Sequence, residues 1–430
     1  MLSSRGLHKP NTEGGDILLG MLISRAFVEL MFYRACLTMS YQILAVTAGW
    51  HIYELTKDPL SLGLMGLAEV IPYFCSALFA GHAVDQMSKK RIAVFGCLLH
   101  VVIAVLLVPV ALGAFDRSGV GAHWLIYGAI GLAGLARAFI RPTYQVLFAQ
   151  VLRREDFAQG SAIGAVIFQG AQVIGPVLGG LLIAWPGLVS AYIASGVFAL
   201  LAIIAVGLLR YTAEPIQPSE LSMWAGIVQG LRFVFSKQIM LAAMALDMFA
   251  VLFGGAVAML PAFIDEILQG SPETLGLLRA APAIGSVLAG VWLARHPIQR
   301  HGGRYLLGAV AGFGFAVIGF GWSTSFWLAA TFLFFTGVFD AVSVVLRSTI
   351  LQLMTPDQMR GRISAINGIF IGSSNEIGAL ESGLAASALG LSASIVFGGA
   401  MTLFVVAVCW LAAPKLRDLE LSDLHDVRKL

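Results

Sequence analysis

The sequence predicts an all-α membrane protein with twelve transmembrane helices in two six-helix bundles. Three observations carry this: roughly twelve stretches of 18 or more mostly apolar residues across nearly all of the 430-residue chain, a one-sided placement of Lys and Arg in the connections, and a weak internal repeat about a polar middle segment. A spanning helix needs about 20 mostly apolar residues, since each rises about 1.5 Å and the hydrocarbon core is about 30 Å thick. Composition agrees, with 58% hydrophobic and 12% charged residues. Barrel strands are excluded because the apolar runs are long and unbroken and lack a two-residue alternation.

In chain order, a polar tail (1–23) precedes spans 26–53, 60–83, 91–114, 123–150, 158–185 and 187–209, which make a first bundle within 24–210. A linker (211–238) leads to spans 239–264, 274–294, 303–322, 326–351, 362–388 and 391–413, a second bundle within 239–413, and then to a tail (414–430). The tail through Asp16 lacks the short apolar run and small-residue cleavage site of a signal peptide. In the linker, Leu221, Trp224, Ile227, Val228, Leu231, Val234 and Phe235 recur at three- and four-residue steps, which predicts an amphipathic helix on the membrane surface.

Lys89, Lys90, Arg91, Arg153, Arg154, Arg210, Arg232, Lys237, Arg295, Arg300, Arg304, Arg360 and Arg362 fall in one alternating set of connections, and only Lys57 and Arg117 in the other. The positive-inside rule makes the first set cytoplasmic, and an even span count places both termini there. The net charge of +3 is therefore an orientation signal that needs no nucleic-acid partner. Cys36, Cys75, Cys97 and Cys409 lie in different spans without a C-x-x-C spacing and read as small apolar side chains. Eight histidines without paired spacing give no metal site, and no cofactor is expected. The chain contains no G-x-x-x-x-G-K-[ST] loop, H-E-x-x-H or G-x-S-x-G, so neither an ATP-driven pump nor a membrane-embedded enzyme is expected.

At an offset of 203, Ala162-Ile163 matches Ala365-Ile366, Ile174-Gly175 matches Ile377-Gly378, and Gly180 matches Gly383. Such 6+6 repeats mark transporters built from two rocking bundles. The segment Gly81-His82-Ala83-Val84-Asp85-Gln86-Met87-Ser88-Lys89-Lys90-Arg91 resembles the signature that follows span two in the major facilitator superfamily, with Ser88 and Gln86 as departures. Its second-half echo, 290–304, has Ala294 in place of the aspartate. Gly175-Pro176-Val177-Leu178-Gly179-Gly180 is similar to a motif of antiporters in that superfamily, with Ala171 replacing an upstream glycine. Thr355-Pro356-Asp357-Gln358-Met359-Arg360-Gly361-Arg362 and the segment 372–383 resemble the branch of bacterial enterobactin exporters and macrolide and multidrug efflux proteins. The resemblance implies a major facilitator fold, export coupled to proton entry, and a gating role for Gly81, Asp85, Lys89, Lys90 and Arg91 and for Gly175, Pro176, Gly179 and Gly180.

Charged side chains at membrane depth cost at least about 2.5 to 3.5 kcal/mol, so each is expected to face a cavity or a partner. These are Glu29, Arg34, Glu69, Arg137, Arg141, Asp247, Arg279, Asp340, Arg347, Glu376 and Glu381. Arg25, Glu29 and Tyr33 share one face of span one and Arg34, Thr38 and Tyr41 an adjacent one, read either as cavity lining or as an Arg25–Glu29 ion pair. Arg137, Arg141 and Arg347 are gating candidates, Arg141 and Arg347 at equivalent repeat positions near cytoplasmic ends, with cargo binding as the alternative. Asp247, with no base one turn away, is either a proton carrier or the partner of Arg279 or Arg347. Glu29, Asp340, Glu376 and Glu381 are further proton-coupling candidates, Glu376 with a basic partner as the alternative. Tyr33, Arg34, Phe168, Gln172, Phe249, Phe253 and Asn375 are candidates for the cargo route. The expected protein is a monomeric, proton-coupled antiporter of a small amphipathic molecule such as a siderophore or drug, in a bacterial inner membrane. A lipid flippase of the same fold is the alternative.

Overall fold

The computed structural model describes residues 24–115, 121–210, 223–298, 300–356 and 359–421, without the side chains of 78, 81–86, 154, 158, 223–227, 360–362, 364, 365, 369 and 373. Six long helices form the first bundle: α1 (Arg25–Thr56), α2 (Pro59–Gln86), α3 (Lys89–Ala111), α4 (Ala122–Val151), α5 (Phe157–Ala184) and α6 (Leu188–Leu208). The linker contains α7 (Met223–Ser236). The second bundle is α8 (Gln238–Phe253, continuing through irregular turns to Leu268), α9 (Pro272–Arg295), α10 (Gly302–Gly321), α11 (Phe326–Met354), α12 (Arg360–Leu389) and α13 (Leu391–Ala412).

Among the described residues, ten of these twelve pass as membrane spans on length and apolar composition alone. The other two, α1 and α12, are 32 and 30 residues long. They carry much of the intramembrane polarity, and they bring it to the middle of the molecule.

The packing repeats at a step of seven elements. In the first bundle α2 lies on α4, α3 on α4 and α6, and α1 on α5 and α6; in the second α9 lies on α11, α10 on α11 and α13, and α8 on α12 and α13. Across the bundles, α2 lies along α12 and α5 along α9. Each bundle has its own apolar core. Phe27, Leu30, Cys97, Leu147 and Val206 belong to that of the first, and Leu246, Leu306, Leu346 and Ile350 to that of the second.

The span expected at 239–264 is present, running from Gln238 to Leu268, but it is not a uniform α-helix. After Phe253 the chain passes through a 3-10 stretch (Gly255–Met259), one α turn (Leu260–Phe263) and a π-helical turn (Ile264–Leu268). The break begins at Gly254-Gly255, where a Cβ on Gly255 would meet the Ser382 hydroxyl at 2.6 Å and the Gly378 carbonyl at 2.7 Å. Pro261, which has no N–H to donate, lies within it.

The linker helix is α7, and it packs Leu231, Phe233 and Val234 against Met240, Met244, Leu351 and Ile363 of the second bundle. Val228 and Phe235 stay exposed. The polar part of the linker before it, Glu214 to Glu220, lies outside the described residues. After α13 the chain folds back, and Leu416, Leu419 and Leu421 are buried against the start of α10. There the Arg417 guanidinium, with help from Arg304, holds the Asp418 carboxyl below its ordinary range.

Helix ends fall at two faces. One, here the basic end, carries Lys89, Lys90, Arg91 and Arg153; the far end carries Lys57, Asp265 and Gln269. At the far end α1 stops at Lys57, whose left-handed backbone (φ 49°) lets its N–H close on Tyr53 O at 2.8 Å. Asp58 then caps α2 by accepting from Leu60 N–H at 3.0 Å.

Candidate functional site

Five helices from both bundles bring ionisable groups to one point about midway through the molecule. Arg137 of α4 directs Nη1 to Glu69 Oε1 of α2 at 3.0 Å and to Glu376 Oε1 of α12 at 2.8 Å. Tyr41 of α1 donates to Glu69 Oε1 at 2.9 Å and accepts from Arg137 Nη1 at 3.4 Å. The guanidinium lies over the Tyr73 ring, 4.9 Å from its centroid. Arg279 of α9 makes no hydrogen bond among the described residues but interacts electrostatically with Tyr41, Glu69 and Glu376. Two cations thus balance two anions, and the Arg137–Glu376 bond crosses from one bundle to the other.

Local geometry explains the convergence. Arg137, Arg141 and Tyr144 recur at four and three residues and share one face of α4; Arg34, Thr38 and Tyr41 do the same on α1. The two helices run antiparallel, so Tyr41 meets Arg137 in the middle and Arg34 meets Tyr144 toward the basic end. Arg34 Nη1 donates to Tyr144 Oη at 2.6 Å, and its Cζ lies 4.4 Å from the Tyr144 centroid and 5.1 Å from that of Phe168. One turn farther along α5, Gln172 accepts from the Gln42 amide of α1.

Between this network and the far end the bundles are shut. A Cβ on Gly66 would meet Glu376 O at 2.7 Å, and one on Gly63 would meet Ala379 O at 2.9 Å. Gly276 likewise has Pro176 O at 2.6 Å and Gly180 Cα at 3.2 Å. At the rim Tyr53 donates to Glu266 at 2.8 Å, and Lys57 pairs with Asp265 at 2.9 Å. Toward the basic end no hydrogen bond or ion pair joins the bundles among the described residues. Arg141 Nη1 there lies 4.0 Å from the place a Gly368 Cβ would take.

The glycine motif of α5 works on two faces. Gly175 and Gly179 lie on Gln42, Ile43 and Val46 of α1, within the first bundle. Pro176 and Gly180 lie on Gly276 of α9, between the bundles. Gly81 and Asp85 fall in α2, but their side chains lie outside the described residues. At the basic end Lys90 donates to Gly207 O at 3.0 Å, Lys89 to Met87 O at 3.3 Å, and Arg91 is exposed.

Several expectations change here. Asp247 does not stand alone: it is paired with Arg347, both deeply buried inside the second bundle. Arg347 is therefore paired with α8 inside the second bundle. Asp340 lines a small cavity beside that pair with Val251, Phe313 and Phe339. Glu29 is bound by Arg25 at 2.7 Å, the structural pair. Tyr33 does not line a cavity; it is wholly buried in the first-bundle core. Phe249 is partly exposed on α8, and Phe253 sits at the α8 break, where its carbonyl backs onto Gly398 of α13. Asn375 is exposed beside Glu376 and donates to Ile371 O at 2.9 Å. Glu381 neighbours Ser382, 3.5 Å away. Glu69, Arg279 and Tyr41 belong to the site, although the sequence assigned Glu69 no specific role, placed Tyr41 only on the polar face of α1 and offered Arg279 only as a partner for Asp247. The signal for Glu69 was a lone carboxylate in mid-span, the same one that singled out Asp247.

The Asp247–Arg347 pair yields a stability prediction. Asp247→Asn leaves a buried guanidinium without its counter-charge and is expected to cost about 3–5 kcal/mol, whereas Asp247→Leu with Arg347→Leu recovers most of that loss. Thermal unfolding in detergent checks both. Equal losses in the single and double variants would contradict the pairing.

Residues 25–429 match the family model described as transmembrane secretion effector. The multidrug efflux pump Tap of Mycolicibacterium fortuitum is 24% identical over 425 residues, covering 96% of this chain and 99% of that one. The enterobactin exporter EntS of Escherichia coli O1:K1 / APEC is 23% identical over 353 residues, 79% of this chain and 80% of that one. Among solved structures, a bacterial homologue of the human lysosomal transporter Spinster, inward-facing and unoccupied, superposes with a TM-score of 0.68 at 14% identity, covering 92% of this chain and 96% of that chain. A POT family transporter in complex with 5-aminolevulinic acid gives a TM-score of 0.70 at 11% identity, covering 91% and 97%. The chain is a multi-pass membrane protein and belongs to the transmembrane secretion effector family of major facilitator transporters.

Proposed function

We propose that this protein is a proton-coupled exporter of a small amphipathic molecule, working as a monomeric antiporter by alternating access, with its basic end and both termini on the cytoplasmic side of a bacterial inner membrane. The charge asymmetry of the connections supports the orientation. Similarity to efflux pumps supports the direction of transport. No chemical step on the cargo is part of this reading.

The observation that carries it is Arg137 held between Glu69 of its own bundle and Glu376 of the other. With both acids ionised the tie holds the far end shut and leaves the space between bundles to the basic side. Cargo entering from that side competes for Arg137 and loosens the tie, so the bundles can rock and release it at the far end. Glu376, now separated from the guanidinium, takes a proton from outside. Neutral Glu376 permits the return stroke, and re-forming the pair with Arg137 expels the proton to the cytoplasm. One charge moving through 100 mV supplies about 2.3 kcal/mol, and each pH unit adds about 1.4, enough for a tenfold or larger gradient of a neutral cargo. Asp340 and Glu381, which have no basic partner among the described residues, are the secondary proton-coupling candidates.

Proton movement in proteoliposomes on addition of amphipathic drugs and siderophores tests this. Wild-type protein should couple cargo to protons. Glu69→Gln and Glu376→Gln should each retain cargo counterflow and lose the coupling, while Glu29→Gln should keep both. Normal coupling in both Glu69→Gln and Glu376→Gln would remove the network from the mechanism.

A further inference from the structure

We propose that the cargo is an organic anion bearing an aromatic group, and that Arg34, held between Tyr144 and Phe168, is its first docking point on the route to Arg137. The proposal rests on the transport reading above and adds the chemical class of what is carried.

The charge balance between the bundles motivates it. Four guanidiniums stand along the route from the basic end to the centre: Arg34, Arg141, Arg137 and Arg279. Two carboxylates meet them, Glu69 and Glu376, and both are taken up by Arg137. Glu29 is occupied by Arg25, and Asp247 by Arg347. No carboxylate lies within ion-pair distance of Arg34 or Arg141 among the described residues. A guanidinium at membrane depth normally faces a partner or a water-filled path, so these two are open to a charge that no described residue supplies.

The geometry around Arg34 is that of a receptor. Its Nη1 is fixed by Tyr144 Oη at 2.6 Å, and the group lies between two rings, 4.4 and 5.1 Å from their centroids. Aromatic faces hold a guanidinium in place while its remaining N–H donors point outward in the plane, where a carboxylate binds in a two-pronged manner. Gly164 leaves room for it, since a Cβ there would stand 3.0 Å from Nη1. Arg141, one turn along α4 from Tyr144, offers the next cation toward the centre and faces Gly368 of the opposite bundle. At the centre Arg137 again lies on an aromatic ring, that of Tyr73. A cargo anion passed from Arg34 by way of Arg141 to Arg137 would replace Glu376 there and so release the tie between bundles. Cargo recognition and unlocking become one event.

The test uses three probes of one shape and different charge: 1-naphthoate, 1-naphthamide and 1-naphthylmethylammonium, titrated onto the purified full-length protein in nanodiscs. Naphthoate should bind at least about tenfold more tightly than the other two, because a charge-assisted hydrogen-bond pair is lost with either replacement. Arg34→Gln should remove that preference, and Arg34→Lys should restore part of it, which separates a lost docking charge from a misfolded protein. Tighter binding of the ammonium, no measurable binding of naphthoate, or an unchanged preference in Arg34→Gln would overturn the proposal. Proton-coupled efflux of the ethidium cation that survives Arg34→Gln would also overturn it while leaving the transport reading in place.

Discussion

Replacing Arg137 with alanine is expected to abolish coupled transport and to weaken the far-end closure by about 3–5 kcal/mol, the cost of leaving buried charge uncompensated. Two carboxylates from different bundles depend on this one guanidinium, at 3.0 and 2.8 Å. Without it Glu69 and Glu376 repel each other across the seam, and the state that brings them together loses most. Arg137→Lys should recover little, because a single ammonium on a flexible stem does not reproduce a planar fork that meets Glu69, Glu376 and the Tyr41 hydroxyl while stacked on Tyr73. Arg137→Gln combined with Glu376→Gln should regain thermal stability yet remain uncoupled, since the imbalance of charge is reduced but nothing is left to exchange for a proton across the seam. Stability and proton-coupled flux measured side by side check this. An Arg137→Ala protein that couples normally would contradict the assignment.

The second large effect concerns glycines. Gly63, Gly180, Gly276 and Gly383 let the two bundles touch backbone to backbone; a Cβ on Gly180 would lie 2.7 Å from Pro272 O and 2.9 Å from Gly276 Cα, and one on Gly383 would lie 2.9 Å from Gly63 Cα. Backbone atoms in helices cannot turn aside as a side chain can, so alanine at these positions forces the bundles apart. The strain exists only when the far end is closed. Overpacking of this kind costs about 1–3 kcal/mol, which shifts the balance between states about 5- to 150-fold toward far-end opening. Gly134, Gly285 and Gly337 instead abut the carbonyls of Glu69, Phe334 and Pro282 inside single bundles. Alanine there should lower thermal stability in every state without favouring one. Site-directed spin-label distances across the far end, set against melting temperatures, distinguish the two groups; an identical response from both would contradict the rocking of rigid bundles.

Much of this architecture could be read from the chain before any coordinates. Spans were legible because lipid demands about 20 apolar residues in a row, and the sidedness of Lys and Arg marks the two faces. The α5 glycines pointed to close approach, but which of them face α1 and which face the other bundle depends on helix rotation, and the spacing did not settle it. The central network was hidden for a different reason. Arg137 and Glu376 are 239 residues apart, and nothing within a turn of either announces the other. Asp247 and Arg347 were left with alternatives open on the same ground. Tyr33 misled because a hydroxyl beside Glu29 and Arg34 on one helix suggests a wet face, whereas the rotation of α1 turns it into the core while Arg34 reaches Tyr144. The irregular turns after Phe253 could not be read because Gly254, Gly255 and Pro261 are individually tolerated in membrane helices, and their effect depends on what packs there: Phe313 of α10 against Gly254 and α12 against Gly255.

The most direct test of the whole account is a pair of electron–electron distances, with spin labels on Asp58 and Gln269 reporting the far end and labels on Arg91 and Arg295 reporting the basic end. At neutral pH without cargo, the account predicts a short far-end distance. Cargo should lengthen the far-end distance and shorten the basic-end one in step, and acid on the far side, once the cargo has left, should reverse both. If both distances stay fixed under every condition, or both lengthen together, the two bundles do not exchange access around Arg137 and the mechanism proposed for this protein is wrong.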